Sequence, residues 1–196
     1  LISINLAIVC PPNPVSGQAR TEQGLPFITN YSPKIYNALP QTWCVQEDER
    51  GIMYFGIQNY ILEYDGVKWR KITLQGISGQ NVVRSLNKKK DGVMYYGGFS
   101  DVGYLDYDSL GQKRTISLLS LIPKENRNFL DVWSTYVTSS AVYYQSREYI
   151  FRLDDKKPGA KAYDMMKVWK PKTKFMYAFY LDGEYFVHQQ GLGLYK

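Results

Sequence analysis

Short runs of aromatic and β-branched residues alternate with polar turn residues along most of the chain. Residues 52–56 and 93–97 form two such runs, and each follows a turn sequence that ends in glycine. Aromatic and β-branched residues favour strands, and Asp-Gly pairs at 91–92 and 182–183 favour tight turns. No helical periodicity lasts longer than about two turns, and residues 116–122 are the one short helix candidate. The pattern predicts an all-β protein.

The chain also repeats itself at an interval of about 41 residues. Gly51 and Gly92 are 41 residues apart, as are Gly56 and Gly97, and an aromatic, acidic strand follows each pair. Two weaker copies occupy residues 142–154 and 182–195. Trp43 opens the first unit and Trp133 the third. Repeats of this length are typical of β-propeller blades, which hold about four short antiparallel strands each.

The repeat therefore predicts about four four-stranded antiparallel blades of a β-propeller. The blades span roughly 41–75, 80–120, 131–170 and 174–196. The last unit stops before an outer strand, so we expect an incomplete part of a ring with about seven blades. A β-sandwich does not repeat at this period, and a membrane barrel needs strands of about 9–11 alternating residues.

Composition narrows the class further. The 196 residues are 44% hydrophobic, which suffices for a packed core and excludes a disordered chain. The net charge of +6 arises between residues 156 and 174, where seven lysines accompany one acidic residue. This segment lacks the arginines and regular aromatics of a nucleic-acid stripe. We expect a solvated lysine-rich segment and no direct contact with nucleic acid.

The first residues resemble the end of a signal peptide. Eight of the ten residues at 1–10 are apolar, and Gly17 and Ala19 occupy the −3 and −1 positions of a cleavage site before Arg20. We expect a signal-peptide remnant at 1–19 and the propeller domain at 20–196. Two alternatives remain: a frayed strand, or a lipoprotein modified at Cys10, although Val9 replaces the small residue expected before it.

The motif of the first unit resembles a known repeat. It combines Trp43, Asp48, Gly51, the run Ile-Met-Tyr-Phe-Gly at 52–56 and the run Leu-Glu-Tyr-Asp at 62–65. This pattern is similar to the two-component regulator propeller repeat, and Gly-Leu-Gly-Leu-Tyr at 191–195 resembles its Gly-Leu segment. Residues 24–31 resemble the opening strand of such sensors. The likeness covers 24–196 and is poor in the third unit, where Gln145 replaces the motif glycine.

The resemblance implies a function. Members of this family are extracytoplasmic sensors of bacterial signalling proteins, and several relatives sense carbohydrate fragments. It implies a periplasmic domain, anchored in the inner membrane by a downstream helix, that signals to downstream domains of the same polypeptide. Those outputs include histidine kinases and DNA-binding regulators of transcription, whose motifs this chain lacks. The full-length protein is expected to form a homodimer.

Catalytic chemistry is sparse in the sequence. His188 is the single histidine, so a multi-histidine metal site is not expected. A Cys44–His188 dyad could supply nucleophilic catalysis, but Cys44 lies in a predicted strand, where cysteine is usually an inert apolar residue. We therefore expect a non-enzymatic region with no cofactor and no metal.

A ligand site is expected where the loops of a propeller gather. In a four-stranded blade, the loop between the second and third strands emerges on the same face as the crossover to the next blade. These loops are rich in amides and aromatics, which suit a small polar ligand such as an oligosaccharide; their polarity alone also fits plain solvation. The candidate residues are Gln58, Asn59, Tyr60, Ser100, Asp101, Arg147, Glu148, Gln189 and Gln190, with crossover residues at 78–81 and 126–128.

Three functions follow from this organisation. The first is a ligand-sensing propeller that transmits occupancy to a downstream output. The second is a propeller lyase or hydrolase with its site in the same loops, and the third is a protein-interaction scaffold.

Overall fold

The structure is a computed structural model that describes residues 27–74, 81–156 and 162–196. The chain divides into two units, Leu1–Tyr31 and Ser32–Lys196. The helices and strands of the described residues all lie in the second unit. The predicted signal-peptide remnant, the alternative at Cys10 and crossover residues 78–80 lie outside the described residues.

The described strands form four antiparallel sheets, each built from consecutive strands of the chain. Sheet 1 contains β1 (Cys44–Glu47), β2 (Met53–Gly56), β3 (Tyr60–Tyr64) and β4 (Trp69–Thr73). Sheet 2 contains β5 (Val83–Lys88), β6 (Met94–Gly98), β7 (Val102–Tyr107) and β8 (Lys113–Ser117). Sheet 3 contains β9 (Ser134–Val137), β10 (Ala141–Gln145), β11 (Ile150–Asp154) and β12 (Lys167–Trp169). Sheet 4 contains β13 (Phe175–Leu181), β14 (Glu184–Gln189) and β15 (Gly193–Tyr195).

The all-β prediction is confirmed, and so are the four-stranded antiparallel sheets in three units of four. Sheet 4 has three strands among the described residues.

Helices are short. The described residues form α1 (Pro33–Tyr36) and two 3-10 helices, Leu119–Leu121 and Lys124–Asn126. The predicted helix at 116–122 is wrong at its start, because Ile116 and Ser117 belong to β8. Helix α1 was not predicted, since four residues are too few to show a helical period.

The repeated glycines occupy equivalent turns. Gly51 has φ of 79° and lies between β1 and β2, and Gly92 has φ of 86° and lies between β5 and β6. Each glycine N–H donates a backbone hydrogen bond to the residue three positions earlier, Asp48 or Lys89. The positive φ explains why glycine recurs at this point of the repeat.

Neighbouring sheets pack face to face through apolar clusters. Tyr54 and Ile61 of sheet 1 share a cluster with Tyr96 of sheet 2, and Ile150 of sheet 3 packs with Val187 of sheet 4. A third cluster joins sheets 2 and 3. The first strands of successive sheets are also neighbours, since β1 contacts β5, β5 contacts β9, and β9 contacts β13.

The two terminal sheets differ on the faces turned away from their neighbours. On sheet 1, Trp69 stacks on Tyr64 with ring centres 4.4 Å apart, and Tyr36 of α1 lies 5.2 Å from Trp69. On sheet 4, Phe179 and Leu181 are 52% and 62% exposed. Helix α1 thus lies against the outer face of sheet 1, whereas sheet 4 presents an apolar face to solvent.

Helices of the described ranges are all too short to cross a bilayer.

Candidate ligand-binding site

The loops between the second and third strands gather with the crossovers at one end of the sheets, which we call the loop end. Backbone hydrogen bonds join these loops to the following crossover or, in sheet 3, to the first residue of β13. The pairs are Asn59 N–Asn81 O at 2.6 Å, Ser100 N–Leu130 O at 2.8 Å and Phe175 N–Arg147 O at 3.1 Å. The loop end is therefore a continuous, internally bonded surface.

In sheet 1, the candidate residues face solvent. Gln58 and Asn59 are exposed, and Asn59 adopts a positive φ of 68°. Tyr60 is half-buried, and Lys71 Nζ lies 5.0 Å from the centre of its ring. Among the described residues, the side chains of Gln58 and Asn59 are thus accessible from solution.

In sheet 2, the candidate residues serve the loop itself. Ser100 Oγ donates to Phe129 O at 2.7 Å. Asp101 is buried, and its carboxylate accepts hydrogen bonds from Tyr96 Oη at 2.8 Å and Ser117 Oγ at 2.6 Å. Burial raises the pKa of Asp101, and the two hydroxyl donors oppose that rise. Asp101, which directly precedes β7, thus links Tyr96 of β6 to Ser117 of β8.

In sheet 3, Arg147 is exposed and Glu148 is half-buried. Glu148 Oε2 accepts the backbone N–H of Leu130 at 3.4 Å, which ties its loop to the preceding crossover. In that crossover, Arg127 donates to the carbonyl oxygens of Ile122 and Ser120.

In sheet 4, the two candidate glutamines point differently. Gln189 is buried, and its Oε1 accepts the backbone N–H of Lys172 at 2.9 Å. Gln190 is exposed and bonds through its backbone to Lys174 and Thr173. Gln190 therefore remains on the loop-end surface, while Gln189 lies inside.

The most concentrated chemistry at the loop end is a set of five side chains that we call the Trp–Arg cluster. Its members are Trp43, Arg84, Asp131, Trp133 and Arg147. Arg84 Cζ lies 3.7 Å from the ring centre of Trp43 and 5.0 Å from that of Trp133. The two indoles meet edge to face at 6.5 Å, and Arg147 Cζ is 5.8 Å from Trp133.

The guanidinium of Arg84 is largely buried, and an ion pair holds it in place. Its side chain is 14% exposed, and Nε lies 2.6 Å from Asp131 Oδ1. Its Nη1 is shielded from solvent and has no hydrogen-bond partner among the described residues. Trp43 and Trp133 remain 39% and 38% exposed. The cluster thus exposes indole surface at the loop end, beside a fixed and largely buried guanidinium.

The backbone explains how the cluster assembles. Trp43 precedes β1 and donates its N–H to Gly56 O, and Trp133 precedes β9 and donates to Gln145 O, both at 2.9 Å. Arg84 lies where the β5–β6 register shifts between Val83 and Ser85. Three successive sheets therefore each contribute one residue from the beginning of the first strand.

Sequence reasoning noted both tryptophans as unit openers but missed Arg84 and Asp131. A signal was present, because Arg84 follows Trp43 by 41 residues, the interval that separates Gly56 from Gly97.

The two residues considered for catalysis lie in different sheets. Cys44 is on β1 of sheet 1, and His188 is on β14 of sheet 4. Burial raises the pKa of the Cys44 thiol to about 12, so it is protonated at neutral pH. Among the described residues, no three histidine, cysteine, aspartate or glutamate side chains group as metal ligands.

A cavity of about 490 Å³ lies between sheets 1 and 2 at the opposite end, beside the turns that contain Gly51 and Gly92. Two ion pairs involve side chains that line it. Asp48 binds Arg50 at 2.8 Å, and Lys113 of sheet 2 binds Glu63 of sheet 1 at 2.6 Å. The second pair joins the two sheets.

Comparison of the chain with protein-family models and with curated proteins finds no match.

Proposed function

We propose that the protein is part of a β-propeller sensor that binds a small polar ligand, such as an oligosaccharide, at the loop end. The Trp–Arg cluster carries this proposal. It places two half-exposed indoles and a fixed guanidinium at matching positions of three successive sheets.

The sheet arrangement supports a propeller. Each sheet is a meander of consecutive strands, packs on the next sheet, and brings its first strand beside the next first strand. In a propeller the first strands line the central axis, and blades stack around it. The exposed apolar face of sheet 4, which includes Phe179 and Leu181, fits a further blade of a ring with about seven.

The chemistry of the loop end supports a polar ligand. Binding sites combine aromatic surface with a few hydrogen-bonding groups that fix orientation. Trp43 and Trp133 supply the surface, and the exposed amides of Gln58, Asn59 and Gln190 supply donors and acceptors.

The sensor role rests on the resemblance to the two-component regulator propeller repeat. We place the domain in the periplasm, with a downstream membrane helix and output domain in the same polypeptide. Signalling requires that the ligand bind two arrangements of the sensor with different affinity, because equal affinity shifts no equilibrium.

The test is ligand binding by the Trp133→Ala variant. A panel of plant and bacterial-wall oligosaccharides is titrated into the protein by calorimetry, with the exposed Tyr107→Ala variant as control. We expect Trp133→Ala to weaken binding about tenfold or more, since indoles at the centre of a site often contribute over 1.4 kcal/mol.

Tyr107 lies at the end of β7 away from the loop end, so its variant should bind like the parent protein. Equal affinity in the parent and the Trp133→Ala variant would remove the cluster from the site.

A further inference from the structure

A second cavity lies between sheets 3 and 4 and is independent of the loop-end cluster. Its volume is about 340 Å³, near the lower end of the range for small-molecule sites, so it suits a ligand with one ring. Its aromatic walls include Tyr143, Trp169, Tyr185 and Tyr195. We infer that this cavity binds a small carboxylate carried on a single six-membered ring.

The aromatic walls define a place for the ring. Tyr143 and Tyr185 stack with centres 4.6 Å apart and planes inclined by 15°. Trp169 and Tyr195 are 44% and 39% exposed, so part of each ring is available to a ligand. Flat aromatic surfaces of this kind pack well against a planar or ring-shaped apolar body.

The charges of the lining define the other half of the ligand. Lys170, Arg152 and Lys196 line the cavity, and no aspartate or glutamate does so among the described residues. A cavity with basic and aromatic walls favours an anion, because low-dielectric walls strengthen the field of a fixed charge.

The three basic side chains are not equivalent. Arg152 pairs with Asp154 at 2.6 Å, and Lys196 pairs with Glu184 at 2.9 Å. Lys170 has no carboxylate within ion-pair distance in the described part of the chain, and its Nζ lies 5.6 Å from the ring centre of Tyr149. Lys170 is therefore the cation whose charge is left for a ligand.

Gln189 supplies a neutral donor to the same cavity. Its Oε1 is occupied by the backbone N–H of Lys172 at 2.9 Å, which fixes the side chain. The remaining amide N–H groups of Gln189 can then donate to a carboxylate oxygen. One ammonium and one fixed amide suit a single carboxylate better than a dianion.

The inference also gives a role to the lysine-rich segment, which the loop-end site does not use. Lys170, Lys172 and Lys174 of that segment are all exposed, and of these three Lys170 lines the aromatic cavity.

The experiment compares each acid with a neutral analogue of similar size and the same ring. The aromatic pair is 4-hydroxybenzoate with 4-hydroxybenzamide, and the sugar pair is galacturonate with galactose. Binding to the full chain is followed by the tryptophan emission that Trp169 contributes and by calorimetry. We expect the acid of at least one pair to bind about tenfold more tightly than its neutral analogue, and the pair that responds identifies the ring.

The matched variants are Lys170→Gln and Lys172→Gln, two exposed lysines of one segment. Lys170→Gln should remove the preference for the acid and leave affinity for the neutral analogue unchanged, whereas Lys172→Gln should behave like the parent protein. Equal binding of acid and neutral analogue in both pairs, or an undiminished preference in Lys170→Gln, would overturn the inference. Neither outcome depends on the loop-end site, which the Trp133→Ala titration tests separately.

Discussion

Asp101 shows how a polar loop residue can face inward. The loop that holds it was predicted to bind a ligand, yet its carboxylate is buried and bonded to Tyr96 and Ser117. Burial raises its pKa above the unfolded value of about 3.9. Between the two values the folded state binds more protons, so the stability from this group is complete below about pH 4 and falls as pH rises through the folded pKa.

The Asp101→Asn variant tests this sign. We expect the free energy of unfolding of the parent protein to fall relative to Asp101→Asn in a series of measurements that starts at about pH 4 and continues up to neutral pH, because asparagine carries no proton to lose. Urea unfolding across this range measures the difference. The exposed Asp106→Asn variant should keep the slope of the parent protein, and equal slopes for all three proteins would contradict the assigned burial effect.

The sequence could not show which of the polar candidate residues of the site are buried. Asp101 and Gln189 are as polar as Gln58 and Gln190, and only the fold decides that the first two lie inside. Arg84 could have been found from its interval to Trp43. The partner Asp131 could not, because a contact across 47 residues leaves no local pattern.

At the scale of strands, small residues let the first strands approach closely. Ser85 Oγ of β5 lies 2.8 Å from Thr135 Oγ1 of β9 and donates to Val132 O at 3.0 Å. A Cβ atom built on Gly97 would lie 2.4 Å from Val132 Cγ1 and 2.6 Å from Ser85 Oγ. The close contact between sheets therefore requires glycine at this position of the repeat.

Replacing Gly97 by alanine should destabilise the protein by about 2–3 kcal/mol, because the added methyl forces β5 and β9 apart. Gly111→Ala is the control. Gly111 has φ of 73° and open space around it, so alanine there should cost only about 1 kcal/mol of backbone strain. Chemical denaturation measures both values, and equal losses would show that the strands can move apart at little cost.

Strands were easier to predict than helices here. Alternating aromatic and β-branched runs and turn glycines mark the strands around Gly51 and Gly92, and these features are local in sequence. Helix α1 has four residues and buries none of them, so it leaves no apolar period to detect. The 3-10 helices Leu119–Leu121 and Lys124–Asn126 have three residues each, which is also too few to show a helical period, although the candidate at 116–122 contains the first of them.

At the scale of the molecule, buried charge joins sheet 1 to sheet 2. Glu63 of β3 is 8% exposed at its side chain and contacts Lys113 of β8 at 2.6 Å and Arg70 of β4 at 2.9 Å. Lys113 also reaches Tyr54 Oη. The lysine therefore compensates a carboxylate that belongs to the neighbouring sheet.

Lys113→Met should lower the free energy of unfolding by about 2–3 kcal/mol, since the buried Glu63 then keeps a single ion-pair partner among the described residues, the half-exposed Arg70. In the double variant with Glu63→Gln the losses should be less than additive. Lys90→Met is the control, because Lys90 is exposed and lines the same 490 Å³ cavity between sheets 1 and 2 as Lys113. This variant should change stability by less than about 0.5 kcal/mol. Additive losses would show that the two sheets are not coupled through this pair.

The succession of sheets could be predicted from the sequence because the repeat has a long interval that recurs along the chain. The interval from Gly51 to Gly92 predicts successive antiparallel sheets, and the structure has them. The positions of the cavities between sheets could not be predicted from the sequence. These cavities depend on side chains from strands that are distant in sequence, such as Tyr143 and Tyr185.

The position of α1 against sheet 1 has a consequence for biosynthesis. Tyr36 and Trp69 can meet once the first sheet has left the ribosome, so part of one face of that sheet can be covered before the second sheet folds against the other face. Each later sheet then finds a completed surface only about 50 residues back, as in the Ser85–Thr135 contact. Assembly by addition to a finished neighbour keeps loop-closure costs low and gives nascent-chain folding a direction, from the N-terminal sheet toward the C-terminal one.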